Sequence, residues 1–320
     1  MSLRGALVRS VDGAMLRALA KSQSTRRGAR RAQLACILFA GLSVLVGSAI
    51  AIYAAAQPAL PGWATLSAFI GGVAGGAGMA GAALSLASWL GQRRRDLEAA
   101  EIWARLCEDP SGARPFCLYL RPFASTDEIA GEDAVATQMA FGRGPQMAVA
   151  RGRTELEAEI EHALRPIGPL IALGQPLEHI GAGRIAVTDA DWRNAIRLLI
   201  ETASLIVLLP SSRAGTLWEV ETLLQSDALS KTIVIDPPNP LAETDDDTDY
   251  DHAAEWEDVR AAFAAAGRRL PEDDPNGLLA AFEDESDTPR TAGFSSNHAA
   301  ALRRFAKSLL RRRKAATLAA

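Results

Sequence analysis

The sequence predicts an α/β protein in which a two-helix transmembrane hairpin precedes a domain built on a parallel sheet. Residues 34–56 and 63–90 contain no charged side chain, whereas residues 115–314 alternate short apolar runs with amphipathic stretches. Uncharged stretches longer than about 20 residues are typical of membrane-spanning helices. Strands separated by helices of about 11 to 15 residues are typical of βαβ units. A chain of 320 residues has room for both parts.

The segment before the first span, residues 1–33, is basic. Apolar residues recur at roughly helical spacing from Leu3 to Leu19, and Arg4, Arg9 and Arg17 fall between them. This pattern predicts an amphipathic helix that lies on an anionic membrane surface. A poorly ordered basic terminus would explain the composition equally well.

Arginines flank the two uncharged stretches on their outer sides. Four lie between residues 26 and 31 and three at 93–95, while the connecting residues 57–62, QPALPG, carry no charge. Because cytoplasmic flanks are enriched in Lys and Arg, we expect a multi-pass protein of the inner (plasma) membrane with both termini in the cytoplasm. Residues 54–56 resemble a signal-peptidase site, but the apolar core before them is too long and a second one follows, which argues against cleavage.

The second span is rich in glycine. Gly71 with Gly75, and Gly72 with Gly76, form small-xxx-small pairs that let another helix approach closely. The first span is the expected partner, and a second protomer of a homo-oligomer is the alternative. Neither span contains an ionisable Asp, Glu, Lys, Arg or His, so we expect an anchor and not an ion or proton pathway.

The remaining chain divides into a juxtamembrane helix and linker at 92–114, a cytosolic α/β domain at 115–314 and a tail at 315–320. Continuous apolar runs predict strands buried on both faces of a parallel sheet. They are Phe116–Leu120, Pro169–Leu173, Ser204–Leu209 and Thr232–Ile235, with Leu278–Phe282 as a weaker candidate. Helices are expected at about 154–164, 216–229, 253–266 and 298–314, and a loop at 175–188. A further helix, capped by Thr188 and Asp191, is expected to run to about Thr202.

Composition and motifs limit the partners and binding sites that the chain is expected to have. The net charge of −4 is too small to indicate a bulk polyanion, so no nucleic-acid partner is expected. The three cysteines and four histidines lack metal-ligand spacing, so no metal is expected, and the cysteines fit a reducing compartment. The loop Gly174–Arg184, which follows the second predicted strand, contains neither GxGxxG nor a Walker lysine motif. The acidic run at 245–251 lacks the glycine and the last glutamate of an EF-hand and is interpreted as a solvated loop.

Residues 203–221, ASLIVLLPSSRAGTLWEVE, predict a strand, a polar loop and the start of a helix. Ligands of open α/β sheets bind at the carboxyl ends of such strands. Glu219 is the candidate catalytic residue, because a carboxylate in a water-poor cleft can stabilise an oxocarbenium-like centre. Glu221 is the second candidate acid. The alternative is structural: Thr216 and Glu219 have capping-box spacing, and an acid in the first turn favours the helix dipole.

Five further residues are candidates for substrate binding. Arg121, Phe123 and Asp127 follow the first predicted strand, and Trp192 and Trp218 begin two predicted helices. The arginine could hold a phosphate or carboxylate in bidentate fashion, and the indoles could stack on a base or a nicotinamide ring. The structural alternatives are an Arg121–Asp127 pair that fixes the loop and packing of both tryptophans in the core.

Four segments follow one another along the chain: LYLRPF…D, TELEAEIEHALRPIGPLIALGQP, DADWRNAIRLLIETASLIVLLP and GTLWEVE. This order of segments resembles TIR-like domains of bacterial membrane proteins and, more distantly, nucleoside deoxyribosyltransferases. The resemblance covers about residues 115–238 and implies a flavodoxin-like fold. It also implies a glutamate needed for NAD cleavage in the helix after the third strand. Gly215–Glu219 has the Gly-Thr-x-x-Glu spacing of the nucleoside group, which favours Glu219. TIR domains place a Trp four residues before the acid, which differs here, so Glu221 stays a candidate.

The same resemblance makes residues 175–188 the counterpart of the BB loop, which gates the site and makes assembly contacts. It implies a membrane-anchored signalling or defence protein that cleaves the N-glycosidic bond of NAD, as an NAD glycohydrolase does, or of a related nucleotide. That nucleotide would be substrate or ligand, and no other cofactor is expected. The expected partners are the lipid bilayer and further copies of the chain, joined through the glycine-rich span and the α/β domain. The alternatives are a non-catalytic domain that senses a nucleotide or binds proteins, and a scaffold without a ligand.

Overall fold

Two long helices lead into a seven-stranded sheet in the computed structural model. The structure describes residues 22–56, 61–109, 114–121, 156–177, 180–188, 190–237, 252–283, 286–294 and 298–319. The predicted amphipathic segment up to residue 21, the acidic run at 245–251, and Phe123 and Asp127 lie outside the described residues.

The two long helices are α1, Ser22–Ala55, and α2, Gly62–Glu108. Within the described part of the chain, two helical segments, Arg30–Ala55 and Gly62–Glu108, are long and apolar enough to cross a membrane. Many of their large side chains are exposed, among them Leu38, Leu45 and Ile52. By length and composition the two helices therefore fit the predicted hairpin.

Glycine sets the contact between α1 and α2. A Cβ on Gly47 would lie 2.5 Å from the carbonyl oxygen of Gly72, and a Cβ on Gly76 would lie 2.8 Å from that of Ser43. Any larger side chain at these positions would force the helices apart. A Cβ on Gly75, by contrast, would have no neighbour within 4 Å. The Gly72/Gly76 pair thus faces α1 of the same chain, and the Gly71/Gly75 pair faces outward.

The sheet has the strand order β3-β2-β1-β4-β5-β6-β7. The strands are β1 Cys117–Leu120, β2 Leu170–Leu173, β3 Gly183–Ile185, β4 Leu205–Leu208, β5 Thr232–Asp236, β6 Leu278–Ala281 and β7 Arg290–Gly293. All five predicted strands are present. The prediction of a parallel sheet holds for β1 to β5 and is wrong for β6 and β7, which pair antiparallel.

Among the described residues, five more helices and a 3-10 helix follow α2. They are α3 Leu156–Leu164, α4 Trp192–Thr202, α5 Ala214–Leu224, the 3-10 helix Asp227–Lys231, α6 His252–Ala265 and α7 His298–Ala319. The predicted start of α5 at Thr216 is wrong, because the helix begins two residues earlier. Its N-terminal capping residue is Arg213, whose side chain makes no capping hydrogen bond.

Apolar side chains cover both faces of the sheet. Alternation along β1 sends Leu118 and Leu120 into one cluster and Cys117 and Tyr119 into the other. The first cluster receives the end of α2 together with α4, α5 and α6. The second receives α3 and α7. A residue that follows β1 or β4 can therefore be assigned to one face of the sheet from the cluster in which the neighbouring side chains pack.

Helix α2 covers the edge strand β3. Gln92 Nε2 donates to the carbonyl oxygen of Ala182 at 2.8 Å, and Asp96 Oδ1 accepts from the backbone N–H of Arg184 at 2.9 Å. A Cβ on Gly183 would overlap the carbonyl oxygen of Arg95, so the strand and the helix touch directly. Two backbone hydrogen-bonding groups at this sheet edge are thus satisfied by the helix that carries the second apolar segment.

Candidate functional site

The strand order reverses between β1 and β4. From β1 the chain moves outward to β2 and β3, and it returns to β4 on the other side of β1. Ligands of open α/β sheets bind outside the carboxyl ends of the strands at such a reversal. Leu120 pairs with Leu208, and the backbone N–H of Leu209 donates to the Leu120 carbonyl at 2.9 Å. Arg121 and the loop before α5 therefore lie at this edge.

Glu219 lies on α5, the helix that follows β4. It is 3% exposed, and its Oε2 has no hydrogen-bond partner among the described residues. Burial raises the pKa of Glu219 to about 8, because the charged carboxylate loses its hydration in a low dielectric. The carboxyl is therefore mostly protonated at pH 7.

The structural explanation of Glu219 as part of a capping box is wrong. Thr216 is the third residue of α5 and is buried, so it cannot act as the N-terminal cap. Glu221 is exposed on the same helix. Of the two candidate acids, Glu219 is the buried one, and burial together with its raised pKa is the pattern of functional groups.

Trp192 and Trp218 contact each other on the adjoining helices α4 and α5. Their ring centroids are 4.9 Å apart at an interplanar angle of 72°. The guanidinium of Arg193 lies 5.2 and 5.6 Å from the two ring centroids, and that of Arg197 lies 5.2 Å from Trp218. Both indoles are half-buried against the core, so the packing alternative accounts for part of their surface. The two arginines were not candidates in the sequence, although they follow Trp192 and are four residues apart, a helical spacing.

Arg121 belongs to a buried ion cluster on the other face of the sheet. Its Nη1 lies 3.6 Å from Oε2 of Glu157 on α3. Glu157 also accepts from Nη2 of Arg184 at 2.7 and 2.8 Å and from the backbone N–H of Ala182 at 2.7 Å. Two guanidinium groups therefore share this carboxylate. Sequence reasoning missed Glu157 and Arg184, since the pair is 27 residues apart and forms only when β3 joins the sheet.

The predicted site residues fall into two places. Arg121 faces α3, whereas Val220 and Leu223, which follow Glu219 on α5, pack in the cluster that contains Leu120. Glu219, Trp192 and Trp218 thus share the α4–α5 side, and Arg121 does not join them.

The loop between β4 and α5 contacts α6. Ser211 is fully buried, and its Oγ accepts from the backbone N–H of Arg213 at 3.3 Å. Ser212 Oγ donates to Oε1 of Glu255 at 3.4 Å. Glu255 was not a candidate in the sequence, and its other carboxylate oxygen is buried without a partner in the described part of the chain. No group of three or more His, Cys, Asp or Glu among the described residues is arranged to hold a metal ion.

The loop predicted at 175–188 contains β3 and is held by α2. The backbone N–H of Leu177 donates to Oδ2 of Asp96 and that of Gly181 to Oε1 of Gln92, both at 2.9 Å. Gly181 has a φ of +150°, and a Cβ there would collide with Glu157, so this turn requires glycine. The segment is therefore fixed between the second long helix and the ion cluster.

Comparisons of the chain with protein-family models, with curated proteins and with solved structures find no match.

Proposed function

We propose that the chain is a membrane-anchored, TIR-like signalling or defence protein in which Glu219 acts on the N-glycosidic bond of NAD or a related nucleotide. The observation that carries the proposal is the Glu219 carboxyl, buried on the helix after a central strand with one oxygen unpartnered among the described residues. An unsatisfied buried polar group costs about 1–3 kcal/mol, and such groups concentrate at functional sites.

The protonation state of Glu219 defines its role. With a pKa of about 8, the carboxyl of the free protein is mainly neutral at pH 7. The nicotinamide ring of NAD is cationic, and a cation beside a buried carboxyl lowers its pKa. Binding would therefore ionise Glu219 and release a proton. The carboxylate would then stabilise the oxocarbenium-like ribosyl centre while the bonding pair leaves with neutral nicotinamide. Water would add to the ribosyl carbon and lose its proton to solvent.

The neighbouring side chains suggest how the nucleotide is held. Trp192 and Trp218 offer aromatic surface for stacking. Arg193 and Arg197 are exposed beside them and suit a pyrophosphate. We assign the phosphate contact to this pair in place of Arg121, which would have to leave Glu157 to bind a ligand.

The strand order supports the TIR-like assignment. Without the three-residue β3, strands β2, β1, β4 and β5 have the order 2-1-3-4 that begins a flavodoxin-like sheet. The antiparallel β6 departs from that fold, in which the fifth strand is parallel.

The apolar helices supply the proposed anchor. Their exposed apolar faces suit lipid, and the arginines at their outer ends favour both termini in the cytoplasm of an inner-membrane protein. The outward Gly71/Gly75 face is available for a second copy of the chain.

A non-catalytic nucleotide sensor is the second candidate. Glu219 is 3% exposed, so a ligand must open the α4–α5 side to reach it. A domain that opens when a nucleotide binds, without cleaving it, would signal that binding through its contacts with α2.

The test is nicotinamide release from NAD by the full chain reconstituted in vesicles. The proposal expects turnover by the wild type, a loss of at least about 100-fold in Glu219→Gln, and near wild-type turnover in Glu221→Gln. Nucleotide binding seen as a raised Tm without turnover would favour the sensor. Full turnover in Glu219→Gln, or neither binding nor turnover in the wild type, would refute the assignment of Glu219.

A further inference from the structure

The last helix carries more positive charge than the fold uses. Helix α7 contains seven Lys and Arg residues and no Asp or Glu. Three of the seven have partners in the domain: Arg303 donates to the carbonyl oxygens of His162 and Ala163, Arg312 pairs with Glu283 at 2.7 Å, and Arg313 donates to the Ser204 carbonyl. The other four require a separate explanation.

These four form one line along the outer face of α7, which we name the cationic stripe: Arg304, Lys307, Arg311 and Lys314. Their spacings of three, four and three residues keep them on one face of a helix. All four are exposed and make no hydrogen bond or ion pair with the described residues. Like charges at these spacings destabilise a helix, so the stripe is unfavourable unless an anion lies against it.

The stripe ends in an exposed apolar side chain. Leu318, four residues beyond Lys314, continues the same face and is 79% exposed. Among the described residues, the other exposed large hydrophobic side chains lie on α1 and α2, apart from Leu177 at 37%. Cations in a line with an exposed leucine are typical of a helix that lies on a lipid surface. A polyanion without an apolar phase would bind the charges but not the leucine.

The position of α7 also favours the bilayer. Arg303 joins the start of α7 to the C-terminal end of α3. There Arg165 pairs with Glu98 of α2 at 3.4 Å. Glu98 is eight residues past Leu90, the last residue of the apolar segment, or about 12 Å along the helix. The stripe therefore begins close to the end of the proposed anchor.

We propose that the cationic stripe binds the anionic headgroups of the membrane into which α1 and α2 insert, with Leu318 entering the interface. This inference rests on the proposed anchor. Contact with the surface would hold the domain on the bilayer by a second point besides α2. Because attraction to anionic lipid falls off within a Debye length, the contact would weaken as salt rises.

The experiment uses the full chain in vesicles, with Cys36→Ser and a fluorophore on a cysteine at the exposed position Ala315. Energy transfer to a headgroup acceptor reports how close α7 lies to the surface. We expect at least about twofold more transfer with about 30% phosphatidylglycerol than with phosphatidylcholine alone. The difference should disappear near 0.5 M salt, where the Debye length is on the order of sixfold shorter than at low salt. It should also disappear in the variant Lys307→Gln/Arg311→Gln. The matched control, Arg114→Gln/Arg269→Gln, removes the same charge at two exposed positions elsewhere and should behave as the wild type.

Two results would overturn the proposal. Equal transfer in both vesicle types would show that anionic lipid does not hold α7. The second result combines two observations. The protein in phosphatidylcholine vesicles would bind duplex DNA only when the stripe is intact, and its energy transfer would not change with phosphatidylglycerol. That result would assign the stripe to nucleic acid. Flotation of the protein with vesicles after alkaline carbonate extraction tests the anchor separately. A protein that fails to float would refute the anchor before the stripe is measured.

Discussion

Asp96 of α2 accepts a hydrogen bond from the backbone N–H of Arg184 in the edge strand β3, at 2.9 Å. Its other oxygen accepts from the backbone N–H of Leu177, at 2.9 Å, and Gln92 donates to Asp96 at 2.8 Å. One buried carboxylate thus connects the second apolar helix to both ends of the segment that was predicted to gate the site. A tilt or rotation of α2 would therefore move the acceptor atoms to which this segment is bonded.

Removal of this carboxylate should loosen the junction. In Asp96→Ala, the N–H groups of Arg184 and Leu177 lose their acceptor, and each unpaired buried donor costs about 1–3 kcal/mol. We expect a loss of about 2–4 kcal/mol in the free energy of unfolding, measured by near-UV circular dichroism of the full chain in detergent. Glu108→Ala, which removes an exposed carboxylate from the same helix, should change stability by less than about 0.5 kcal/mol. Equal effects of the two substitutions would show that the junction contributes nothing specific.

Glu157 should be among the most sensitive positions of the domain. Its replacement by Gln leaves the buried guanidinium of Arg184 without its carboxylate, and breaking a buried pair from one side costs about 3–5 kcal/mol. Replacing Glu157 and Arg184 together by Met should cost less, because the Arg184 guanidinium is then absent and only Arg121 loses this carboxylate. Chemical denaturation of the three proteins measures the difference. A double variant less stable than Glu157→Gln would contradict this explanation.

Glu219 should make stability depend on pH in a particular direction. Its pKa is raised from the ordinary 4.5 to about 8, so the folded state binds more protons than the unfolded state between these values. The free energy of unfolding therefore falls as pH rises through this window. Glu219→Gln removes the effect and should raise the Tm by roughly 5 °C more at pH 8 than at pH 6. Glu221→Gln, an exposed substitution on the same helix, should show no such pH-dependent gain, and a gain of equal size there would point to a general charge effect.

The glycines of α2 should differ according to the face they occupy. Gly76→Val places a side chain against the Ser43 carbonyl, where a Cβ would be only 2.8 Å away, whereas nothing lies within 4 Å at Gly75. Cysteines placed at Ala40 and Ala80, which pack together, should crosslink in Gly75→Val and much less in Gly76→Val. Similar crosslinking yields in both variants would mean that the hairpin does not pack through Gly76.

Much of the fold follows from local pattern. Continuous apolar runs mark β1, β2, β4 and β5, because strands buried on both faces admit few polar residues. The edge strands β3 and β7 have the sequences GRI and RTAG. These short segments adopt extended structure because a neighbouring strand pairs with them, and their composition carries no such signal.

The site was predictable only in part. Glu219 was identified from its place after an apolar strand, but its burial depends on how α5 packs and where that helix begins. The partner of Arg121 is Glu157, which no spacing rule connects to it, because ion pairs between distant elements arise from tertiary packing. Arg193 and Arg197 became relevant only once α4 and α5 brought the two indoles together.

The central claim is that Glu219 meets the cationic ring of a bound nucleotide. Calorimetric titration of the full chain with NAD at pH 7, in buffers of different ionisation enthalpy, counts the protons released on binding. With a pKa of about 8 in the free protein, the account predicts release of close to one proton by the wild type and none by Glu219→Gln. Binding without proton release in the wild type, or the same release in Glu219→Gln, would contradict it.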